Sequence, residues 1–147
     1  MIDIENYVFT HIASAILEQY PQANVLGNYS EEIAFFPAVT VTEIRNATLR
    51  RMQDDEPTEH YATITYEVNV YSNEVPGSKE ECKRILDIVD GVMFGMKFTK
   101  DLTRRLPAID HTRTVYRLYA RYTAVVDEGR EIERDGETIL EYHTYRG

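Results

Sequence analysis

The chain of 147 residues is 43% hydrophobic and 28% charged, a balance that suits one water-soluble globular domain and excludes a disordered tail. Its 25 Asp and Glu outweigh 16 Lys and Arg for a net charge of −9, which argues against a nonspecific nucleic-acid binder held by phosphate neutralisation. The single cysteine, Cys82, leaves no internal disulfide and no Cys-based zinc or CxxC redox site, and no apolar run approaches the roughly 20 residues of a membrane helix.

The acidic start Met1-Ile2-Asp3-Ile4-Glu5-Asn6 is unlike a secretory leader, so a cytoplasmic protein is expected. From Asp3 to Tyr20 two apolar rows, Ile4-Val8-Ile12-Ile16 and Phe9-Ala13-Leu17, predict a helix with a broad buried stripe. Pro21 stops it, because proline lacks an amide hydrogen and drives Tyr20 out of helical geometry. A turn at Gly27 follows the short Asn24-Val25-Leu26 stretch. Phe36 to Ile44 alternates apolar and polar residues and is rich in β-branched side chains, which predicts a strand. Arg45 to Glu59 then reads as a long loop.

The stretch His60 to Ser72 predicts a strand with Ala62, Ile64, Tyr66, Val68 and Val70 on one face and Thr63, Thr65, Glu67 and Asn69 on the other. After the Pro76-Gly77 turn, Ser78-Lys79-Glu80-Glu81 matches a capping box and predicts a helix start. Cys82, Ile85, Leu86, Val89, Met93 and Met96 keep helical spacing, so Cys82 is expected in the core, with Gly95 near the helix end. An extended piece follows around Phe98 to Leu102. Thr114 to Val126 then alternates Tyr116, Leu118, Ala120, Tyr122, Ala124 and Val126 against Arg117, Tyr119, Arg121 and Thr123, predicting a long strand with an arginine-bearing face. The Asp135-Gly136 pair predicts a two-residue hairpin setting Ile132 opposite Ile139 and Arg134 opposite Glu137.

These elements predict an α+β fold: a two-layer sandwich in which two helices cover one face of a largely antiparallel, four- to five-stranded sheet, in the order helix, strands, helix, strands. Residues 1–127 form one domain, and 128–147 a C-terminal hairpin and acidic tail. No catalytic, cofactor or metal site is expected. The histidines lack HxxxH or HExxH spacing, there is neither GxxxxGK nor GxGxxG, and a helical core position disfavours a reactive thiolate at Cys82. The Asp54-Asp55-Glu56 run could supply oxygen ligands to a hard cation, but adjacent carboxylates rarely converge without further ligands, and a solvated loop tip is the simpler expectation. Gly91-Val92-Met93-Phe94-Gly95 lies in too polar a helix to be a membrane-packing motif.

Charge is segmented along the chain. Residues 97–126 carry seven bases against two acids, while 1–96 and 127–147 are both acidic. A basic strand face on such a chain can dock on an acidic patch of a neighbouring copy, or its arginines can pair with Glu67 and other acids of the same sheet. The loop repeats the pattern, with Arg45, Arg50 and Arg51 ahead of Asp54, Asp55 and Glu56, as in a dipolar arm that orders on assembly.

Four phrases carry a resemblance: Phe36-Pro37-Ala38-Val39-Thr40-Val41-Thr42-Glu43, Tyr61 to Asn73, Lys83 to Met93, and Tyr116 to Val126. In these and in its element order the chain resembles the tail-terminator or tail-completion (minor tail) proteins of long-tailed bacteriophages and prophages. The resemblance spans most of residues 1–127 and leaves out the acidic hairpin. It implies a virion structural protein, assembled in the bacterial cytoplasm, with no active site. Its subunits would form a homo-oligomeric, expected hexameric ring that caps the tail tube, ends its elongation and joins it to the head-side connector or stopper protein. It implies no membrane and no sequence-specific nucleic-acid partner, with DNA free to pass through the lumen. By that likeness the arm with Arg45, Arg50, Arg51, Asp54, Asp55 and Glu56 would reach a neighbour, the lumen or the tube, and the face with Arg117, Tyr119 and Arg121 another subunit. Two alternatives stay open. One is another neck component, a stopper or head-tail joining protein, told apart by its binding partner; the other is a small-molecule-binding or hydrolytic α+β domain using Cys82 or the Asp54-Asp55-Glu56 cluster.

Overall fold

A computed structural model describes residues 2–30, 32–49, 61–107, 115–127, 130–134, 137–141 and 144–145. Helix α1 (Glu5–Gln19) leads through the short β1 (Asn24–Leu26) to β2 (Ala38–Leu49) and β3 (Tyr61–Ser72). Helix α2 (Ser78–Gly95) then precedes β4 (Thr99–Leu106), β5 (Tyr116–Asp127), β6 (Arg130–Arg134), β7 (Glu137–Glu141) and β8 (Thr144–Tyr145). The main sheet runs β1-β2-β3-β5-β4, with β1 parallel to β2 and the other pairs antiparallel, so the fold is α+β with a mixed, mostly antiparallel sheet. Strand β8 pairs with β5 at Val125 and Val126. Because β3 takes the other side of β5 along its whole length, β8 lies on the β4 side, just past the Thr99↔Thr123 pair where β4 begins.

Both helices lie on one face of the sheet, as the two apolar patterns predict. Val8, Ile12 and Ile16 of α1 and Cys82, Ile85, Leu86, Val89 and Met93 of α2 are buried with Val39, Val41, Ile64, Val68, Val70, Ala120 and Val126. The α1 stripe is narrower than expected: Phe9 is half-buried and Leu17 is 40% exposed. Two tyrosines reach through this core and keep their hydroxyls satisfied. Tyr66 donates to Glu43 at 3.1 Å and Tyr122 to Asp90 Oδ1 at 2.5 Å, so two large apolar rings are buried without stranding a polar atom.

Strand β2 continues through Arg45 to Leu49, so the first third of the expected Arg45–Glu59 loop is sheet. The register shifts between Glu43 and Arg45, a bulge that places Ile44 out of the ladder and reverses the alternation. Beyond it the helix-side position belongs to Asn46, whose amide donates to the Ile2 carbonyl at 2.7 Å, so the apolar period ends while the strand does not. The rest of that loop, including Arg50, Arg51, Asp54, Asp55 and Glu56, lies outside the described residues. The capping box does not form. Gly77, at φ +114°, caps α2 in a left-handed conformation that favours glycine, and the Glu81 carboxylate instead accepts from Ser72 at 2.8 Å. The terminal hairpin has the expected register, Ile132 opposite Ile139 and Arg134 opposite Glu137, and forms a two-stranded sheet of its own.

Candidate interface on the open sheet face

The strand period that sends Val, Ile and Ala toward the helices sends polar residues to the opposite face. Register across the sheet places Thr40, Thr42 and Arg45 of β2 beside Asn69, Glu67 and Thr65 of β3, then Arg117, Tyr119, Arg121 and Thr123 of β5, then Leu106, Arg104 and Leu102 of β4. Neither helix covers this face. Arg117, Tyr119 and Arg121 therefore form one row, as their spacing predicts, and Arg45 lies on the same face opposite Thr65.

Arg117 is the most enclosed of these cations, at 8% exposure. Its Nε donates to Asn69 Oδ1 at 2.9 Å and its Nη1 to the Pro107 carbonyl at 3.2 Å, while the rings of Tyr29 and Tyr71 lie 5.4 and 5.6 Å from its guanidinium carbon. An arginine enclosed by neutral oxygens and aromatic faces holds three chain segments together. The sequence-level option of pairing with acids of the same sheet therefore fails at Arg117, which uses an amide and a carbonyl.

It holds at Arg121. Its Nη2 lies 3.5 Å from Glu67 Oε1, and its Nε and Nη2 donate to the Tyr119 hydroxyl at 3.2 and 3.1 Å. Tyr119 in turn donates to Glu67 at 2.5 Å. Burial, and then the Glu67 carboxylate that accepts this proton, hold the Tyr119 hydroxyl above the usual tyrosine range. Arg104 brings a second guanidinium to 6.0 Å from the Tyr119 ring. Beside this cluster Thr65 and Thr123 share a hydrogen bond at 3.1 Å, and Thr123 donates to Asp101, the bulge residue of β4, at 2.6 Å. The hydroxyl oxygens of Thr40 and Thr42 are buried without a hydrogen-bond partner among the described residues.

The accessible part of this face is a set of guanidinium groups, Arg45, Arg104 and partly Arg121, while Arg117 and Tyr119 are buried. It suits the docking of carboxylates, which arginine binds through paired N–H groups. Tyr119 is no activated nucleophile, since its proton is held more tightly than usual. Cys82 lies under the sheet, fully buried, with its thiol 3.5 Å from the Val70 carbonyl and pushed up to about 12 by burial, so it is no thiolate at neutral pH. His11, the histidine among the described residues, is exposed on α1 with Nδ1 2.8 Å from the Tyr7 carbonyl oxygen. The described residues hold no cluster of three or more His, Cys, Asp or Glu placed to bind a metal, and no described helix is long and apolar enough to cross a membrane.

Sequence reasoning missed Tyr29, Asn69 as the partner of Arg117, and Arg104. Only Arg104 carried a signal, because its basic strand flanks another. Tyr29 comes from a connecting segment with no period. No known family model matches this chain, and no curated protein matches it.

Proposed function

We propose that this chain is a structural subunit of the neck of a long-tailed bacteriophage or prophage, forming a ring that caps the tail tube, ends its elongation and meets the head-side connector. The observation that supports it best is the helix-free sheet face on which Arg45 and Arg104 are exposed and Arg121 partly so, on a protein of net charge −9. A basic face on an acidic protein is complementary to the rest of its own surface. Repeated head-to-tail, such a contact closes into a ring when the rotation allows. The two-helix, mostly antiparallel sheet is the architecture that the element order predicts. The role is structural rather than catalytic, and the ring is expected to be a hexamer.

Native mass spectrometry of the protein alone, then mixed with short tubes of the tail-tube protein encoded beside it, tests this, with electron micrographs of the mixture. Rings that seat as a discrete cap at one tube end are the expected result. Binding to a portal-side component but not to the tube would move the chain to the stopper or joining position, and failure to bind itself, the tube or any head-side protein would overturn a neck role.

A further inference from the structure

We propose that the β6–β7 hairpin of one copy adds as a strand to the free edge of β4 on the next copy. The hairpin pairs with itself and with no strand of the main sheet among the described residues. A lone two-stranded hairpin is at best marginally stable in water and needs a further strand or a packing surface. Strand β4, in turn, is the end strand of the sheet, bonded to β5 on one side and to no described strand on the other. Unpaired edges of this length are templates for strand addition. Five residues of hairpin strand extend ~17 Å and fit within the ~27 Å of the eight-residue β4 edge.

Charge selects the occupant. Strand β4 carries Lys100, Arg104 and Arg105 against Asp101, and β6 with β7 carries Glu131, Glu133, Glu137 and Glu141 against Arg130 and Arg134. Lys100 is already taken by Asp90 at 2.8 Å, whereas Arg104 and Arg105 are exposed and have no carboxylate partner among the described residues. A basic edge repels a second basic edge, which guards against β4-to-β4 pairing, yet accepts an acidic strand. The hairpin is also poorly placed to reach its own β4. It leaves the sheet at Asp127 and returns through β8, which only two intervening residues separate from Glu141, a tether of about 11 Å at most that holds the hairpin root beyond the Thr99 end. The contact joins two different surfaces, so it is head-to-tail and propagates to a ring.

The inference deepens the ring assignment and rests on it for closure, but its test needs no tail tube. Two full-length variants are compared with wild type by sedimentation and native mass spectrometry: Arg104→Glu with Arg105→Glu, and Glu131→Arg with Glu133→Arg. Each alone is expected to associate at least about tenfold more weakly than wild type. A one-to-one mixture is expected to recover association in alternating order, because the acidic hairpin of the first meets the basic edge of the second and the basic hairpin of the second meets the acidic edge of the first. That rescue requires both variants to be folded; should either reversal unfold the chain, Arg104→Gln with Arg105→Gln replaces it and must weaken association. A wild type that stays monomeric to about 1 mM, single variants that associate normally, or a mixture that does not recover overturns the proposal. Rings that form this way but never seat on a tube would remove the neck role and leave this contact standing. Tube capping by a protein whose reversal variants associate normally would do the opposite.

Discussion

The hydroxyl of Tyr122, on a fully buried ring, lies 2.5 Å from Asp90 Oδ1, and the other Asp90 oxygen is 2.8 Å from Lys100 Nζ. One carboxylate thus ties β5, α2 and β4 together at the helix side of the sheet. Burial, followed by that same carboxylate, holds the Tyr122 hydroxyl far above the usual tyrosine range, so it acts as a permanent donor. Tyr122→Phe removes the donor and leaves the ring packing intact. A loss of about 1–2 kcal/mol in urea unfolding is expected, and no change would mean that Asp90 is held by Lys100 alone.

Elements with a clean period were legible in the sequence. The β3 and β5 alternation gave both faces of each strand, and the Asp135-Gly136 pair gave the hairpin register, because two-fold periodicity and turn chemistry are local. What escaped had non-local causes. The bulge at Ile44 hid the far half of β2, and Ser72, nine residues upstream, took the Glu81 carboxylate that a capping box would use. On the open face the row Arg117-Tyr119-Arg121 was visible, but what each arginine touches depends on Tyr29, Asn69 and Pro107, which only the tertiary fold brings there.

The end of α2 holds a residue in an unfavourable conformation. Phe98 N–H bonds to the Met93 carbonyl at 2.9 Å and Lys97 N–H to that of Phe94 at 3.0 Å, the paired bonds of a Schellman ending, with Lys97 at φ +70° where glycine is usual. A side chain there costs about 1–2 kcal/mol, partly offset by the extra freedom of glycine in the unfolded chain. Lys97→Gly should therefore stabilise the protein by about 0.5–1 kcal/mol in thermal unfolding. A lower midpoint would show that the lysine side chain contributes contacts that outweigh the strain.

Glu81 provides a pH test. Burial first, and then the neighbouring Glu74, raise its carboxyl above the ordinary value of 4.5, against a smaller lowering by Ser72. A carboxyl that binds its proton more tightly when folded favours the native state at low pH and loses that contribution as pH rises through the raised value. Glu43 is raised by burial in the same direction. Glu81→Gln, which stays neutral, should gain stability relative to wild type as pH rises through that raised value and keep the gain above it, in paired urea titrations. A stability difference that is flat with pH, or that moves the other way, would show that the charged form is well accommodated.

Cys82 should behave as a core residue. With its thiol buried and pushed up to about 12, it is expected to react with an aromatic disulfide reagent only when the protein opens, so the labelling rate should rise with urea in step with unfolding. Rapid labelling of the native protein would revive the hydrolytic alternative that uses this thiol.

Arg117 and Arg121 stand two residues apart on one strand face, yet they should separate cleanly under mutation. Arg117 is buried, and its loss leaves Asn69 Oδ1 and the Pro107 carbonyl without their donor. Arg117→Ala should cost about 2–3 kcal/mol of stability. Arg121 is partly exposed and its 3.5 Å contact with Glu67 is the kind of surface pair that contributes little. Arg121→Ala should leave stability nearly unchanged while weakening self-association through the open face. Urea unfolding measures the first quantity and sedimentation the second. An Arg121→Ala protein that assembles like wild type would remove this face from the subunit contact and leave the β4 edge to carry it.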